Sequence, residues 1–251
     1  MTREYIARDP RTGERIGAKP KGARKGVGIA ALSPDSGPWQ RLESHEILPL
    51  ANGESGKIEI LADGKRWLLG RIDAIKALAK VPEKDAERAY DSLVDALEDD
   101  FPDVRIAALK TLPSFSLRRQ GILLHCLSDR LQDDEDSVRE EAMKCLKKVA
   151  PLFPSGCEEI LRRELRDTRK DHRGNAFEAL KLASREWPEV GCLHLDELIR
   201  EEEDDLRIRG SMILRTIASK GGAEAWDLIG WSLQDEEVRV RRNASKTLTI
   251  L

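Results

Sequence analysis

Residues 71–78 read Arg-Ile-Asp-Ala-Ile-Lys-Ala-Leu, and the frame of this stretch returns every 34 residues along the chain. The arginine recurs at Arg105, Arg139, Arg173, Arg207 and Arg241. A small residue lies three places after each arginine, and a leucine lies seven places after it, at Leu78, Leu112, Leu146, Leu180, Leu214 and Leu248. These spacings fall on one face of an α-helix. The chain is therefore predicted to consist of repeated helical units.

A second helix is predicted ahead of each arginine. Apolar pairs four residues apart mark it, at Leu93 and Leu97, Leu127 and Leu131, Leu161 and Leu165, Leu195 and Ile199, and Ile229 and Leu233. An acid lies six residues before most of the arginines, in the predicted turn, at Asp99, Asp133, Asp167, Glu201 and Asp235. The helix that contains Arg207 is predicted over about residues 205–219. Units of this kind bury their apolar faces only by stacking on their neighbours.

An acid in the turn, Val-Arg at the start of the following helix, and then alanine and leucine together resemble the HEAT repeat. The resemblance is strongest to the short, phycobilin-lyase-like variety and covers about residues 65–251. The period also equals that of the tetratricopeptide repeat, but the Trp/Leu-Gly/Tyr signature of that family is missing. The resemblance implies an all-α fold, a right-handed α-solenoid of about six HEAT-like helical hairpins. It implies scaffolds and adaptors more often than enzymes.

The N-terminal part of the chain breaks the repeat pattern. Residues 1–26 carry eight Lys/Arg against three Asp/Glu, a charge of +5 in a chain whose net charge is −3. Prolines and glycines interrupt residues 27–56, so we expect residues 1–56 to form a basic, non-helical, partly disordered extension and residues 57–251 to form the solenoid. Alternating apolar residues around Asp63-Gly64 predict a small β-hairpin, or a degenerate helix, that caps the first repeat.

The bulk composition suits solvated helices, with 35% charged and 4% aromatic residues. Four cysteines occur without pairing motifs, and there is neither a signal-like segment nor an apolar run of membrane-spanning length, so a cytoplasmic location without membrane contact is expected. The last helix ends Thr-Leu-Thr-Ile-Leu251 with no polar cap after Leu248 and Leu251. Contact of this end with a partner, including self-association, is one expectation, and further sequence beyond it is the alternative.

The face of the second helix opposite the buried offsets lies one, five and eight residues after each arginine. In HEAT-like solenoids this face lines the concave surface, and here it is rich in basic residues. We predict that it binds a protein partner. Nucleic acid, bound by the same face and the basic tail, is the alternative, and surface lysines that merely favour helix formation are the plain structural explanation. The predicted binding residues are Lys76, Lys110, Lys144, Lys147, Lys181, Arg215, Lys246, Ile106 and Ile208.

The arginine series and the turn acids are predicted to be structural. Half-buried arginines are normally paired, and acids are favoured at helix N-termini. A basic partner or a cation on the acidic edge is the alternative for the acids. The fourth repeat interrupts that edge with Arg166, Arg169 and Lys170.

No catalytic residue, cofactor or metal site is predicted. The ligand-type residues His125-Cys126, Cys157, His172 and Cys192-Leu-His194 lack Cys-x-x-Cys spacing, and Cys145 takes an apolar slot. HEAT-like hydroxylases with a di-iron centre use several His-Glu pairs, whereas this chain offers only His45-Glu46. HEAT-like DNA glycosylases would need aromatic residues for base stacking, for which the candidates are Trp187, Trp226 and Trp231. Trp226 and Trp231 fall on the first helix of their repeat, away from the predicted groove. The chain is therefore predicted to be a non-catalytic scaffold.

Overall fold

The computed structural model describes residues 42–62, 65–115, 120–218 and 220–249. The chain divides into two compact units, Met1–Cys126 and Leu127–Leu251. Most of the predicted basic extension, residues 1–41, lies outside the described residues, as do the hairpin residues 63–64 and Leu251. The predictions of disorder and of nucleic-acid binding by the tail therefore stay predictions.

Helices dominate the described part of both units. The first unit contains α1 (Ser44–Ala51), β1 (Ile58–Ala62), β2 (Lys65–Leu69), α2 (Arg71–Ala77), α3 (Ala86–Leu97) and α4 (Pro102–Thr111), and the division falls within α5 (Gln120–Arg130). The second unit contains α6 (Asp136–Val149), α7 (Glu158–Glu164), α8 (Lys170–Glu186), α9 (Pro188–Leu198), α10 (Asp204–Ser211), α11 (Leu214–Ile217), α12 (Gly222–Leu233) and α13 (Val238–Leu248).

Each unit stacks helical hairpins in the manner of an α-solenoid. In the first unit, α3 packs on α4 as a hairpin, and α2 lies beside α4 as its equivalent in the preceding repeat. In the second unit, α7 pairs with α8 and α12 pairs with α13, while α6 lies beside α8 and α10 lies beside α13. The predicted all-α solenoid of two-helix repeats is confirmed.

A helix was not expected before residue 57, and this expectation was wrong. Residues Ser44–Ala51 form α1, which packs against α2 and α3. The backbone N–H of Glu43 donates to the Glu46 carboxylate at 3.0 Å and caps the first turn. Pro49 lies inside the helix, and it removes one backbone donor there. Burial of Ile47, Leu48 and Leu50 overrides this local signal.

The predicted β-hairpin is present. Strands β1 and β2 pair antiparallel, with Ile58 opposite Leu69 and Ala62 opposite Lys65. Leu69, at the end of β2, is buried, whereas Leu61 is exposed. Leu69 therefore contributes its apolar side chain to the core, immediately before α2 begins at Arg71.

The core follows the repeat register. The small residue three places after the arginine is buried in every repeat, and so is the leucine seven places after it in every repeat except the last. Gly210 takes the small slot in α10, where a β-carbon would lie 3.0 Å from the Leu198 Cβ. Contact this close leaves no room even for alanine without a shift, which explains the glycine. Leu248, in the last repeat, is 39% exposed.

The helix predicted over residues 205–219 is broken into α10 and α11. Around the break, backbone hydrogen bonds span three residues instead of four: the Ile213 N–H donates to the Gly210 carbonyl at 2.9 Å, and the Thr216 N–H donates to the Ile213 carbonyl at 2.7 Å. The Ser211 hydroxyl donates to the Ile208 carbonyl at 2.7 Å. These local bonds compete with the regular helical pattern. Periodicity alone does not reveal this break, because Leu214 and Ile217 remain buried on the same face.

One histidine lies in the core of the second unit. His194, on α9, is 1% exposed, and neither of its ring nitrogens has a hydrogen-bond partner among the described residues. Burial lowers the pKa of this imidazole below its ordinary value, and the nearby guanidinium of Arg162 lowers it further, while the carboxylates of Glu197 and Glu158 oppose the shift. The neutral form is therefore the one that the folded chain accommodates.

The buried histidine predicts an acid-sensitive stability. Because the pKa is lowered on folding, the unfolded chain binds more protons just below pH 6.5, the ordinary value. The full stability is present above that pH and is lost as the pH falls toward the folded pKa. We expect His194→Leu to flatten the decline in the free energy of unfolding between about pH 7 and 5. Urea denaturation across this range measures it, with His45→Leu, an exposed position, as the control. An unchanged slope in His194→Leu would contradict the prediction.

Candidate interaction surface

The repeated arginines connect neighbouring repeats. Arg71 Nη2 donates to Asp99 Oδ2 at 2.6 Å in the first unit. In the second unit, Arg173 reaches Glu203 at 3.0 Å and Arg207 reaches Asp235 at 3.1 Å. Each of these acids belongs to the turn of the following repeat.

Four of the repeated arginines also close the turn of their own repeat. Their Nη1 donates to the carbonyl six residues earlier, at 2.7 Å from Arg105 to Asp99, 2.8 Å from Arg207 to Glu201 and 2.6 Å from Arg241 to Asp235. Arg139 makes the equivalent contact with Asp133. These contacts give the arginines structural partners, as the sequence pattern indicated.

The turn acids cap the helix that follows them. Their carboxylate accepts the backbone N–H two residues later in four repeats, at 2.7–3.1 Å, from Asp99 to Phe101, Asp133 to Glu135, Asp167 to Arg169 and Asp235 to Glu237. Local bonds of this kind stabilise turns and helix starts. The acidic edge therefore has a structural explanation that needs no bound cation.

The predicted binding residues of the first unit lie at the surface. Lys110 is exposed, and Lys76 and Ile106 are partly exposed. Lys76 is in the last turn of α2, and Lys110 is in the last turn of α4. Cations are favoured there by the helix dipole, so their position alone does not identify a binding role.

The predicted residues of the second unit fall into two groups. Lys144 and Lys147 on α6 line a groove of about 550 Å³ between α6 and the first turns of α8. The others are at least partly exposed but do not line this groove: Lys181, Ile208, Arg215 and Lys246. The structure thus brings two of the predicted residues together around one concave feature.

Several residues that line the groove were not predicted as binding residues. Its wall on α8 is formed by Lys170, Asp171, His172 and Asn175, preceded by Arg169, and α6 adds Asp136, Arg139, Glu140 and Met143. The signal for part of this wall was the break in the acidic pattern at Arg169 and Lys170. Nothing in the sequence indicates that Asn175 faces Lys147, because the two residues are in different repeats.

The charges around the groove are unequally paired. Arg139 contacts Asp136, and Arg169 contacts Asp167 at 2.6 Å. The Lys147 ammonium donates to the neutral Asn175 amide oxygen at 2.6 Å, and it forms no ion pair with the described carboxylates, although Asp136, Glu140 and Asp171 line the same groove. Lys147 therefore presents a net positive charge to the groove.

The cysteines do not provide a nucleophile. All four are free and buried. Burial raises the pKa of Cys157 to about 12 and that of Cys192 to about 11, so both thiols remain protonated at neutral pH. Cys145 lies in the core, as predicted, with its pKa also raised by burial.

None of the helices in the described part of the chain has the length and the apolar content needed to cross a membrane.

Trp226 and Trp231 are exposed on α12, a first helix of its repeat, as the sequence pattern predicted. Trp187, which ends α8, donates its indole N–H to the Pro151 carbonyl at 2.9 Å.

Comparisons with known proteins match part of the chain to a family model and give similar solved structures. Residues 58–147 match the family model of HEAT repeats. Two of the similar solved structures are crescerin, which uses a TOG domain array to regulate microtubules in the primary cilium (TM-score 0.44, 16% identity, 71% of this chain and 84% of that chain), and the complex of CpcE and CpcF of phycocyanin lyase from Nostoc sp. PCC7120 (TM-score 0.38, 17% identity, 92% of this chain and 80% of that chain). No curated protein matches the chain. Residues 58–147 are therefore similar to HEAT repeats, and the later repeats continue in the same 34-residue register.

Proposed function

We propose that this protein is a non-catalytic scaffold that binds an acidic segment of a partner protein in the groove between α6 and α8. The observation that carries the proposal is the Lys147 ammonium, which is directed to a neutral amide in a concave feature. A carboxylate of a partner would replace a weak neutral acceptor with a charged one, and charge-assisted hydrogen bonds are the stronger kind.

The shape of the groove supports a peptide segment. A volume of about 550 Å³ accommodates a few side chains, which is within the ordinary range for binding pockets. Lys144 and Lys170 are exposed at its edge. Met143, an unbranched side chain that adapts to different shapes, also borders it. Stacked repeats commonly use faces of this kind for binding.

The remaining predicted residues extend the proposal to the rest of the chain. In the second unit, Lys181 Nζ forms an ion pair with Glu178 Oε1 at 3.5 Å. Arg215 and Lys246 are exposed. In the first unit, Lys76 and Lys110 lie on the equivalent helix face. We propose that these cations add long-range attraction for an acidic partner, which raises the association rate more than the affinity.

Charge reversal in the groove is expected to weaken peptide binding at least about tenfold, which corresponds to about 1.4 kcal/mol. The variant is Lys144→Glu with Lys147→Glu, and the ligand is a fluorescent peptide rich in Asp, Glu and Leu. Fluorescence anisotropy measures the affinity. The control is Lys148→Glu with Lys220→Glu, which changes the net charge equally at exposed positions outside the groove.

Equal loss of affinity in the groove variant and the control would overturn the groove as the binding site.

A competition experiment separates a protein partner from a nucleic acid. Single-stranded DNA of the same net charge serves as the competing ligand. Tighter binding of the DNA than of the peptide, with an affinity that falls steeply with salt, would replace the proposal by nucleic-acid binding.

A further inference from the structure

Three potential metal ligands converge where α7 meets α8. Glu164 is the last residue of α7, Asp167 lies in the turn, and His172 is in the first turn of α8. Each residue offers one ligand atom, and these atoms all lie within 4.8 Å of one another. The geometry is that of a small, preformed ligand cluster.

Glu164 is the unusual member of this cluster, because it is a fully buried acid with an unsatisfied oxygen. Its Oε1 accepts from Gln132 Nε2 at 2.9 Å and from Arg163 Nε at 2.8 Å. Its Oε2 has no hydrogen-bond partner among the described residues, although the side chain is 0% exposed. An unsatisfied buried carboxylate oxygen is costly, so this atom needs a ligand.

His172 faces the same gap. Its Nδ1 lies 3.8 Å from Glu164 Oε2, beyond hydrogen-bond distance, and it also has no hydrogen-bond partner in the described part of the chain. Two unpartnered atoms of complementary ligand type therefore face each other in a site that is largely closed to solvent.

The repeat register shows that His172 takes a slot that is apolar in other repeats. The slot of Glu164 is mixed and holds Ala96, Arg130, Leu198 and Ser232. The slot of His172 is occupied elsewhere by Val104, Val138, Leu206 and Val240. The same repeat thus contains a fully buried acid, Glu164, and a histidine in an otherwise apolar slot, and the third residue, Asp167, is the ordinary turn acid. A shared ligand accounts for both polar side chains.

We propose that Glu164, Asp167 and His172 bind a divalent first-row transition metal, with zinc as the reference ion. Imidazole nitrogen selects such ions over magnesium and calcium, which prefer oxygen ligands alone. Zinc binds nitrogen and oxygen at about 2.0–2.2 Å, so two ligand atoms on one tetrahedral ion lie about 3.3 Å apart. The observed 3.8 Å between Glu164 Oε2 and His172 Nδ1 reaches this with a small shift.

The surrounding groups hold the carboxylates in place. Arg169 donates to both oxygens of Asp167, at 2.9 and 2.6 Å. Gln132 and Arg163 orient Glu164 through its other oxygen. Such neighbours commonly orient metal ligands. Three protein ligands leave a fourth tetrahedral position for water.

The alternative occupant of the gap is a proton, which would join His172 and Glu164 as an ion pair. The experiment separates the two by using the metal ion alone. The full chain, treated with a chelator and dialysed, is titrated with zinc chloride by calorimetry. We expect one zinc ion per chain and a melting temperature that rises with zinc concentration. Absence of a bound equivalent would overturn the proposal, whether or not any variant folds.

Variants assign the ion to the cluster. His172→Ala and Glu164→Gln are each expected to abolish the stoichiometric zinc, and His45→Ala, at an exposed imidazole outside the cluster, is expected to retain it. Circular dichroism in zinc-free buffer shows whether each variant is folded. Cobalt, added in place of zinc, is expected to give visible absorption bands that disappear in His172→Ala. A folded His172→Ala chain that still binds one zinc ion would overturn the assignment. The proposal does not rest on peptide binding.

Discussion

Replacing Arg207 by methionine is expected to lower the free energy of unfolding by about 3 kcal/mol, within the range found when one partner of a buried ion pair is removed. The Arg207 side chain is 13% exposed and that of Asp235 is 9% exposed. Arg207 Nε lies 3.3 and 3.1 Å from the two oxygens of Asp235. Its Nη1 also donates to the Glu201 and Glu202 carbonyls, at 2.8 and 2.9 Å. The substitution leaves a carboxylate buried without its cation.

The matched control is Arg200→Met. Arg200 pairs with Asp196 at 2.7 Å, but the two side chains are 66% and 48% exposed. Exposed pairs are screened by solvent and contribute little to stability, so a clearly smaller loss is expected for Arg200→Met. Urea denaturation followed by circular dichroism measures both variants. Similar losses in Arg207→Met and Arg200→Met would show that the connection between repeats contributes no more than an ordinary surface pair.

Leu180→Ala is expected to lower the free energy of unfolding by about 3 kcal/mol. Leu180 is 0% exposed in the middle of α8. Truncating a fully buried leucine removes its transfer free energy and leaves a cavity, which together cost about 2–5 kcal/mol. Because α8 packs against α6, α7 and α9, the surrounding helices have little freedom to close the cavity.

The same register slot provides the comparison for this variant. Leu248, in the last repeat, is 39% exposed, and Leu248→Ala is expected to cost less than about 1 kcal/mol. Differential scanning calorimetry and urea denaturation measure both. Equal costs for Leu180→Ala and Leu248→Ala would mean that the register does not define the core.

Periodicity predicted the repeat fold because it reports burial directly. The leucine seven places after each arginine is buried in five of the six repeats. An arginine in a buried position needs an acidic partner. The observed contacts between Arg71 and Asp99, and between Arg207 and Asp235, meet this requirement. The binding role of the lysines stays a prediction, since surface position alone does not specify a partner.

The features that were missed depend on contacts between distant residues. Helix α1 contains Pro49, a local signal against a helix, and it forms because it packs on α2 and α3. The cluster of Glu164, Asp167 and His172 escapes any search for a short ligand motif, since its spacing matches none. Aligning the repeats against one another reveals only part of it, the histidine at a slot that holds Val104, Val138, Leu206 and Val240 elsewhere.

The contact of an arginine with the turn of the next repeat also constrains how such a chain can change in length. Arg71 meets Asp99, and Arg207 meets Asp235, at the same sequence separation. Gain or loss of a whole 34-residue module inside one unit preserves every such pairing, whereas a single inserted residue between partners displaces the acid from its guanidinium. Duplication of complete modules is therefore the route of growth that this architecture tolerates best.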